Sequence, residues 1–134
     1  MNNNKNKRIL VCDDCAATCL LLQTIIEING YQVSTVSSGE GVLAELERQV
    51  FDLLVLDVTM SGIDGYEVAY RIQQNPNLKC LPILLLSGYE EETVREKCRA
   101  RIAGIIRKPI DMNGLIEAVE KALQSCKCQQ TSVV

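Results

Sequence analysis

Five polar side chains stand at the ends of apolar runs that are typical of buried strands. Asp13 and Asp14 follow ILVC, Asp57 ends DLLVLD, Ser87 ends PILLLS, and Lys108 follows GIIR. Clustered carboxylates repel one another, and a hard cation such as Mg²⁺ relieves that repulsion. A lysine and a hydroxyl suit the oxygens of a phosphoryl group, which a carboxylate can accept. The residues therefore predict Mg²⁺-assisted phosphoryl transfer to an aspartate.

The composition excludes several other kinds of chemistry. The chain has 134 residues, 47% of them hydrophobic, which fits one domain with an aliphatic core. It contains no histidine, so Ser-His, Cys-His and His-metal sites are excluded. A net charge of -3 argues against direct nucleic-acid binding. The polar N-terminal stretch is no signal peptide and no run spans a bilayer, so we expect a cytoplasmic protein without membrane insertion.

Short apolar runs alternate with amphipathic stretches along the whole chain. The apolar runs predict strands at 9–12, 32–36, 52–57, 82–87 and 104–107. The amphipathic stretches predict helices at 16–28, 39–49, 91–101 and 112–125, and one that follows the loop at 60–65 and ends near 74. Five β-then-α units predict an α/β fold with a five-stranded parallel sheet and helices on both faces.

Four motifs in this order resemble a response-regulator receiver domain of the CheY-like family. They are ILVCDD, FDLLVLDVTMSGIDGYE, LLLS and IIRKP. The resemblance implies a flavodoxin-like (βα)5 fold with strand order 2-1-3-4-5. It implies a receiver domain at 8–125, between a polar N-terminal lead at 1–7 and a flexible C-terminal tail at 126–134.

The resemblance also implies how a Mg²⁺ ion is held. Asp57 matches the family's phosphoacceptor, which is also a metal ligand. Asp14 matches the direct Mg²⁺ ligand, and Asp13 matches the acid that acts on the metal mainly through water. Thr59 stands where the family offers a backbone carbonyl to the ion. The implied metal site is thus Asp13, Asp14, Asp57 and the Thr59 carbonyl.

The phosphoryl group would be held by residues that follow the last two strands. Ser87 matches the family's switch hydroxyl and Lys108 its phosphate-binding lysine, and Pro109 stands where the family has a cis peptide bond. The resemblance implies a single-domain response regulator of a two-component or phosphorelay system, not an enzyme beyond its own aspartyl phosphorylation and dephosphorylation. Its donor would be a histidine kinase or histidine phosphotransfer protein, and its target would contact the fourth and fifth helices.

Two positions depart from the family pattern and keep alternatives open. Ser61 replaces a usual proline, and Ile105 replaces the usual aromatic three residues before the lysine. An unphosphorylated pseudo-receiver that acts only as an interaction module is therefore one alternative. A haloacid-dehalogenase-type phosphatase is another, although that family has a second aspartate where this chain has Thr59.

Seven cysteines are many for a chain of this length. Without a secretion signal, reduced thiols are expected rather than a disulfide framework. Cys12 and Cys15 form a C-x-x-C pattern around the acid pair, but a zinc site would need further ligands. Cys126 and Cys128 would lie at the opposite end of the predicted sheet. We therefore expect Cys12 to be an ordinary buried residue.

The first predicted helix has an apolar residue outside its apolar face. At 100° per residue, the core-facing arc contains Leu21, Leu22, Ile25 and Ile26. Leu20 falls on nearly the opposite side and should be exposed. Single exposed leucines are common, but this one would lie beside the predicted phosphorylation site, where a phosphodonor docks in receivers.

Overall fold

The computed structural model describes residues 6–124, in which five strands and five helices alternate. The strands are β1 (Arg8–Cys12), β2 (Gln32–Val36), β3 (Leu53–Asp57), β4 (Ile83–Ser87) and β5 (Gly104–Arg107). The helices are α1 (Ala16–Ile28), α2 (Gly39–Arg48), α3 (Gly65–Gln74), α4 (Glu91–Lys97) and α5 (Met112–Gln124). Within 6–124 no helix is long and apolar enough to cross a membrane. The predicted tail at 126–134 lies outside the described residues.

All strand pairs are parallel, and the sheet order is β2-β1-β3-β4-β5. This confirms the predicted fold class and strand order. Cys12 is level with Leu56, and Asp57 is level with Leu86. The carboxyl ends of β1, β3 and β4 therefore meet at one edge of the sheet, where open parallel sheets bind ligands.

The inner strands β1, β3 and β4 are mostly apolar because helices cover both faces of the sheet. Successive side chains point to opposite faces, so Ile9 and Val11 pack with α1 and α5 while Leu10 and Cys12 pack with α2 and α3. All five residues of β3 and of β4 are buried. In β3 and β4, polar side chains can therefore reach water or a ligand only at the strand ends.

Helix α4 is shorter than predicted. It ends at Lys97, and Cys98 is already extended with φ -88° and ψ 118°. The side chain of Gln73 binds the backbone of Arg101, whose N–H lies 2.7 Å from Gln73 Oε1. This tertiary contact holds the chain after Lys97 in a non-helical path, which the amphipathic pattern through residue 101 could not indicate. Val94 is the buried residue of α4.

Leu21 was placed wrongly by the helical pattern. Leu22, Ile25 and Ile26 are buried, as predicted, but Leu21 is 47% exposed. Leu20 is 65% exposed, which confirms its predicted position. The inward arc of α1 is therefore narrower than four apolar residues in the sequence suggest.

Gly65 is required where α3 begins beneath the end of β3. A Cβ atom there would lie 2.4 Å from the backbone oxygen of Asp57 and 2.7 Å from Val58 Cα. We expect Gly65→Ala to lower the free energy of unfolding by about 1–3 kcal/mol, because backbone cannot yield as a flexible side chain can. Urea denaturation of both proteins measures the difference.

Gly88→Ala is the matched control, because nothing lies within 4 Å of a Cβ at that position. Its free energy of unfolding should stay within about 0.5 kcal/mol of the wild-type value. Equal stability of Gly65→Ala and the wild type would contradict the close packing under β3.

Candidate functional site

The backbone ladder continues past the strand ends and fixes the residues that follow them. The Asp13 N–H donates to the Val36 carbonyl at 3.3 Å. The Lys108 N–H donates to the Ser87 carbonyl at 2.9 Å. Asp57 ends β3, level with Leu86 on β4. Four chain segments that are far apart in sequence thus converge on one small region.

Lys108 joins two buried carboxylates at this edge. Its Nζ lies 3.1 Å from Asp57 Oδ1 and 3.2 Å from Asp13 Oδ2. Asp13 is 1% exposed and Asp57 2%. Each carboxylate would be costly to bury alone, and the shared ammonium offsets part of that cost.

The carboxylate oxygens of Asp13, Asp14 and Asp57 all lie within 4.8 Å of one another, so this group could hold a metal ion. Asp13 Oδ1 accepts a hydrogen bond from the Cys15 N–H at 2.9 Å. Asp13 Oδ2 is buried and is paired with the Lys108 ammonium at 3.2 Å. Two buried carboxylates and an exposed third acid, Asp14, fit a hard cation that takes oxygen ligands.

Burial and neighbouring charges shift the pKa values of Asp57 and Lys108. Burial raises the pKa of Asp57 above its usual 3.8, and the Asp13 charge adds to this, while Lys108 opposes both effects. Burial lowers the pKa of Lys108, but the contacts with Asp57 and Asp13 outweigh it, so the net shift is upward. Lys108 therefore stays a cation at neutral pH.

The remaining predicted site residues lie around this centre. Ser87 is 1% exposed, and its hydroxyl accepts a hydrogen bond from the Tyr89 N–H at 2.9 Å. Thr59 is exposed in the loop that follows Asp57. The Lys108–Pro109 peptide bond is cis, as the family resemblance implies. Tyr89 was not among the predicted site residues, because it contacts Ser87 through its backbone N–H, which leaves no signal in residue type.

Within residues 6–124, no cysteine joins the group of Asp13, Asp14 and Asp57 that could hold a metal ion. Cys12 is fully buried, its Sγ lies 3.3 Å from Met60 Sδ, and burial raises its pKa to about 12. This supports its interpretation as a core residue. Of the described cysteines, Cys80 is disulfide-bonded, so the expectation of reduced thiols is wrong there. That expectation used only the missing secretion signal, which says nothing about which thiols meet in space.

A groove of about 350 Å³ lies beside the acidic group. Asp13 and Asp14 line one part of it, and Cys19, Leu20 and Gln23 of α1 line another. The exposed side chain of Leu20 therefore borders a depression that leads to the carboxylates.

The sequence is similar to a known family over most of its length. The family model for the response regulator receiver domain matches residues 9–120. The transcriptional regulatory protein ZraR of Salmonella typhimurium is 37% identical over 117 residues, which cover 86% of this chain and 26% of that protein. The response regulator PleD of Caulobacter vibrioides is 32% identical over 105 residues, which cover 78% of this chain and 23% of that protein.

Solved structures share the fold. The signal receiver domain of a signal transduction histidine kinase from Syntrophus aciditrophicus superposes with a TM-score of 0.83 at 27% identity, over 91% of this chain and 93% of that one. The chemotaxis response regulator CheY4 of Vibrio cholerae gives a TM-score of 0.81 at 23% identity, over 87% of this chain and 98% of that one. At that identity the second likeness concerns the fold alone.

The raised pKa of Asp57 predicts how stability depends on pH. A raised carboxyl pKa contributes stability that is present below about pH 3.8 and is lost as the pH rises through the folded pKa. In EDTA at pH 7, Asp57→Asn should therefore raise the free energy of unfolding, and the gain should vanish below about pH 3.8. Urea denaturation across this pH range measures it.

Glu47→Gln removes an exposed carboxylate and is the control for net charge. Its stability should follow the wild type within about 0.5 kcal/mol at each pH. A less stable Asp57→Asn at pH 7 would mean that the ion pair with Lys108 outweighs the cost of burying the charge.

Proposed function

The chain belongs to the response regulator receiver family, and on that premise we propose that it accepts a phosphoryl group on Asp57 from a phosphohistidine. The observation that carries this proposal is the buried Asp57 carboxylate, held 3.1 Å from Lys108 Nζ and within 4.8 Å of two other acids. As an Asp57 oxygen bonds to phosphorus, the donor's phosphorus–nitrogen bond breaks. The leaving imidazole nitrogen takes up a proton from solvent water. The protein would assist this transfer mainly by positioning the reacting groups and neutralising their charge.

Two side chains would hold the transferred group. The backbone N–H of Lys108 donates a hydrogen bond to the Ser87 carbonyl, which fixes Lys108 just after β5. Its ammonium can therefore stay near Asp57 while the negative charge on Asp57 increases. The Ser87 hydroxyl is the donor on the neighbouring strand end, and it is buried away from competing water. Both give charge-assisted contacts to phosphoryl oxygens.

Mg²⁺ is the metal that this donor set suits best. Asp14, Asp57 and the backbone carbonyl of Thr59 would be direct ligands, and Asp13 would act mainly through water. Mg²⁺ would neutralise the negative charge that collects between the carboxylates and the phosphoryl oxygens. The exposed position of Asp14 leaves room for the waters that this ion usually retains.

The change of state would reach a partner through protein contact. The chain spans about a quarter of the length of the curated relatives it matches first. Those relatives are transcriptional regulatory proteins. For the described residues, we propose that the face of α4 and α5 carries the phosphorylation-dependent contact. Ser87 immediately precedes the loop that leads into α4.

Phosphorylation can be tested with a small donor. After incubation with Mg²⁺ and phosphoramidate, intact-protein mass spectrometry should show the gain of one phosphoryl group that hydroxylamine removes. Asp57→Asn should show no gain, because an amide cannot accept the group. EDTA should suppress the gain in the wild type, because the charges are then not neutralised.

Glu47→Gln is again the matched control, and it should gain the group as the wild type does. No gain in the wild type would favour the pseudo-receiver alternative. Steady hydrolysis of a phosphate ester without a labile adduct would favour the phosphatase. A gain that survives in Asp57→Asn would place the acceptor elsewhere.

The groove beside α1 suggests where a phosphodonor protein rests. Leu20 is 65% exposed at its rim, next to the two aspartates that line it. Apolar side chains beside a charged pocket are common contact points in interfaces, whereas one exposed leucine elsewhere has no such meaning. We therefore assign Leu20 to the contact with the protein that carries the donor phosphohistidine.

Leu20→Ala should slow phosphotransfer from a phosphorylated histidine phosphotransfer protein about 5–10-fold, the usual loss for an important contact residue. It should not slow phosphorylation by phosphoramidate, which is too small to touch Leu20. Rapid-quench measurement of both rates separates docking from chemistry.

Ile28→Ala is the control on the same helix, because Ile28 is 74% exposed at the end of α1 far from the acids. It should leave both rates unchanged. Equal slowing by the two variants, or slowing of both donors by Leu20→Ala, would contradict a docking role.

A further inference from the structure

The Ser87 hydroxyl already has a hydrogen-bond partner in the loop that follows β4. Its Oγ accepts the Tyr89 N–H at 2.9 Å, which closes a tight turn between β4 and α4. Gly88 lies between the two residues, and a side chain there would meet nothing within 4 Å. The Gly88 position is therefore open, and the hydrogen bond between Ser87 and Tyr89 closes the turn around it.

The Tyr89 ring connects this turn to the far end of α4. It is 55% exposed, and Lys97 Nζ lies 6.0 Å from its centroid, within reach of a cation–π contact. Lys97 is the last residue of α4, whose buried residue is Val94. A displaced ring would thus act on a helix with little core packing to resist it.

Ile105 cannot serve as a mobile aromatic side chain. It is partly buried and packs against the core on the α2 and α3 side of the sheet. It has no polar atom that could follow the Ser87 hydroxyl, and moving it into water would lose apolar contacts. The tyrosine whose backbone contacts Ser87 lies instead two residues after it, in the loop.

We propose that Tyr89 is the positioning residue that passes the state of Ser87 to α4. The inference rests on the proposed phosphorylation of Asp57. Ser87 Oγ moves by rotation about one side-chain torsion, so a turn towards a phosphoryl oxygen on Asp57 removes it from the Tyr89 N–H. The released turn shifts, and the Tyr89 ring leaves Lys97. The turn and α4 together form the element with two states. Its state depends on whether the Tyr89 N–H donates to Ser87 Oγ.

Fluorine NMR of protein labelled with 3-fluorotyrosine reports each ring directly. The chain has four tyrosines, and Tyr89→Phe identifies the signal of Tyr89 by its loss. On phosphorylation with Mg²⁺ and phosphoramidate, the Tyr89 signal should shift. The signal of Tyr31, which is 5% exposed in the core beside α1, should not. Mass spectrometry of the same sample gives the phosphorylated fraction.

Two substitutions separate the ring from the rest of the turn. In Tyr89→Ala, the phosphorylation-dependent shifts of the Val94 and Lys97 amides should be lost, while the mass gain at Asp57 remains. Tyr89→Phe keeps the ring and should keep those shifts. Lys97→Met removes the cation and should reduce the shift at residue 97 while the fluorine signal of Tyr89 still moves.

The outcomes distinguish this inference from the proposed function. A phosphorylated sample with an unmoved Tyr89 signal overturns the inference and leaves the receiver function intact. Wild-type amide shifts in phosphorylated Tyr89→Ala overturn it too. Absence of any mass gain overturns the proposed function and, with it, the route through Tyr89.

Discussion

One ammonium group holds the site together. Lys108 lies about equally far from the carboxylates of Asp57 and Asp13, at 3.1 and 3.2 Å, and both acids are almost fully buried. Without that cation, two buried negative charges and the nearby Asp14 would repel one another with little water to screen them. The same position suits an arriving anion, because a charge added to Asp57 stays within reach of Lys108. The resting ion pair and the proposed phosphoryl contact therefore depend on one geometry.

The sheet makes this concentration of charge possible. In the described part of the chain, the buried polar or charged residues are Asp13, Asp57 and Ser87, and all three lie at the carboxyl edge of the sheet. The strands behind them are aliphatic on both faces, so the polar groups have no other buried neighbours to pair with. Parallel strands end at one edge, and the crossing helices bring distant segments there. The fold thus places a polar site at the strand ends, directly above an apolar interior that excludes water.

The site could be predicted from sequence because it depends on residue type at strand ends. Apolar runs followed by Asp13, Asp57 and Lys108 indicate both the strands and the charges that must meet beyond them. The predictions for Leu21 and for the end of α4 were wrong because tertiary packing decides both. The part of α1 that faces the core is too narrow to include Leu21, and the hydrogen bond from Arg101 to Gln73 holds the chain after Lys97 outside the helix. Contacts made by backbone atoms, such as Tyr89 with Ser87, leave no pattern in the sequence.

The small buried surface of α4 has an energetic consequence. Seven residues with Val94 as the buried one form the shortest described helix, beside strands whose every side chain is inside. Its opening free energy should lie far below that for global unfolding, so its amide hydrogens should exchange with solvent well before those of β3 and β4. A helix with a small free energy of local opening needs only a few kcal/mol to be displaced. A few new charge-assisted hydrogen bonds provide roughly that much. The core can remain protected from exchange while α4 opens and closes.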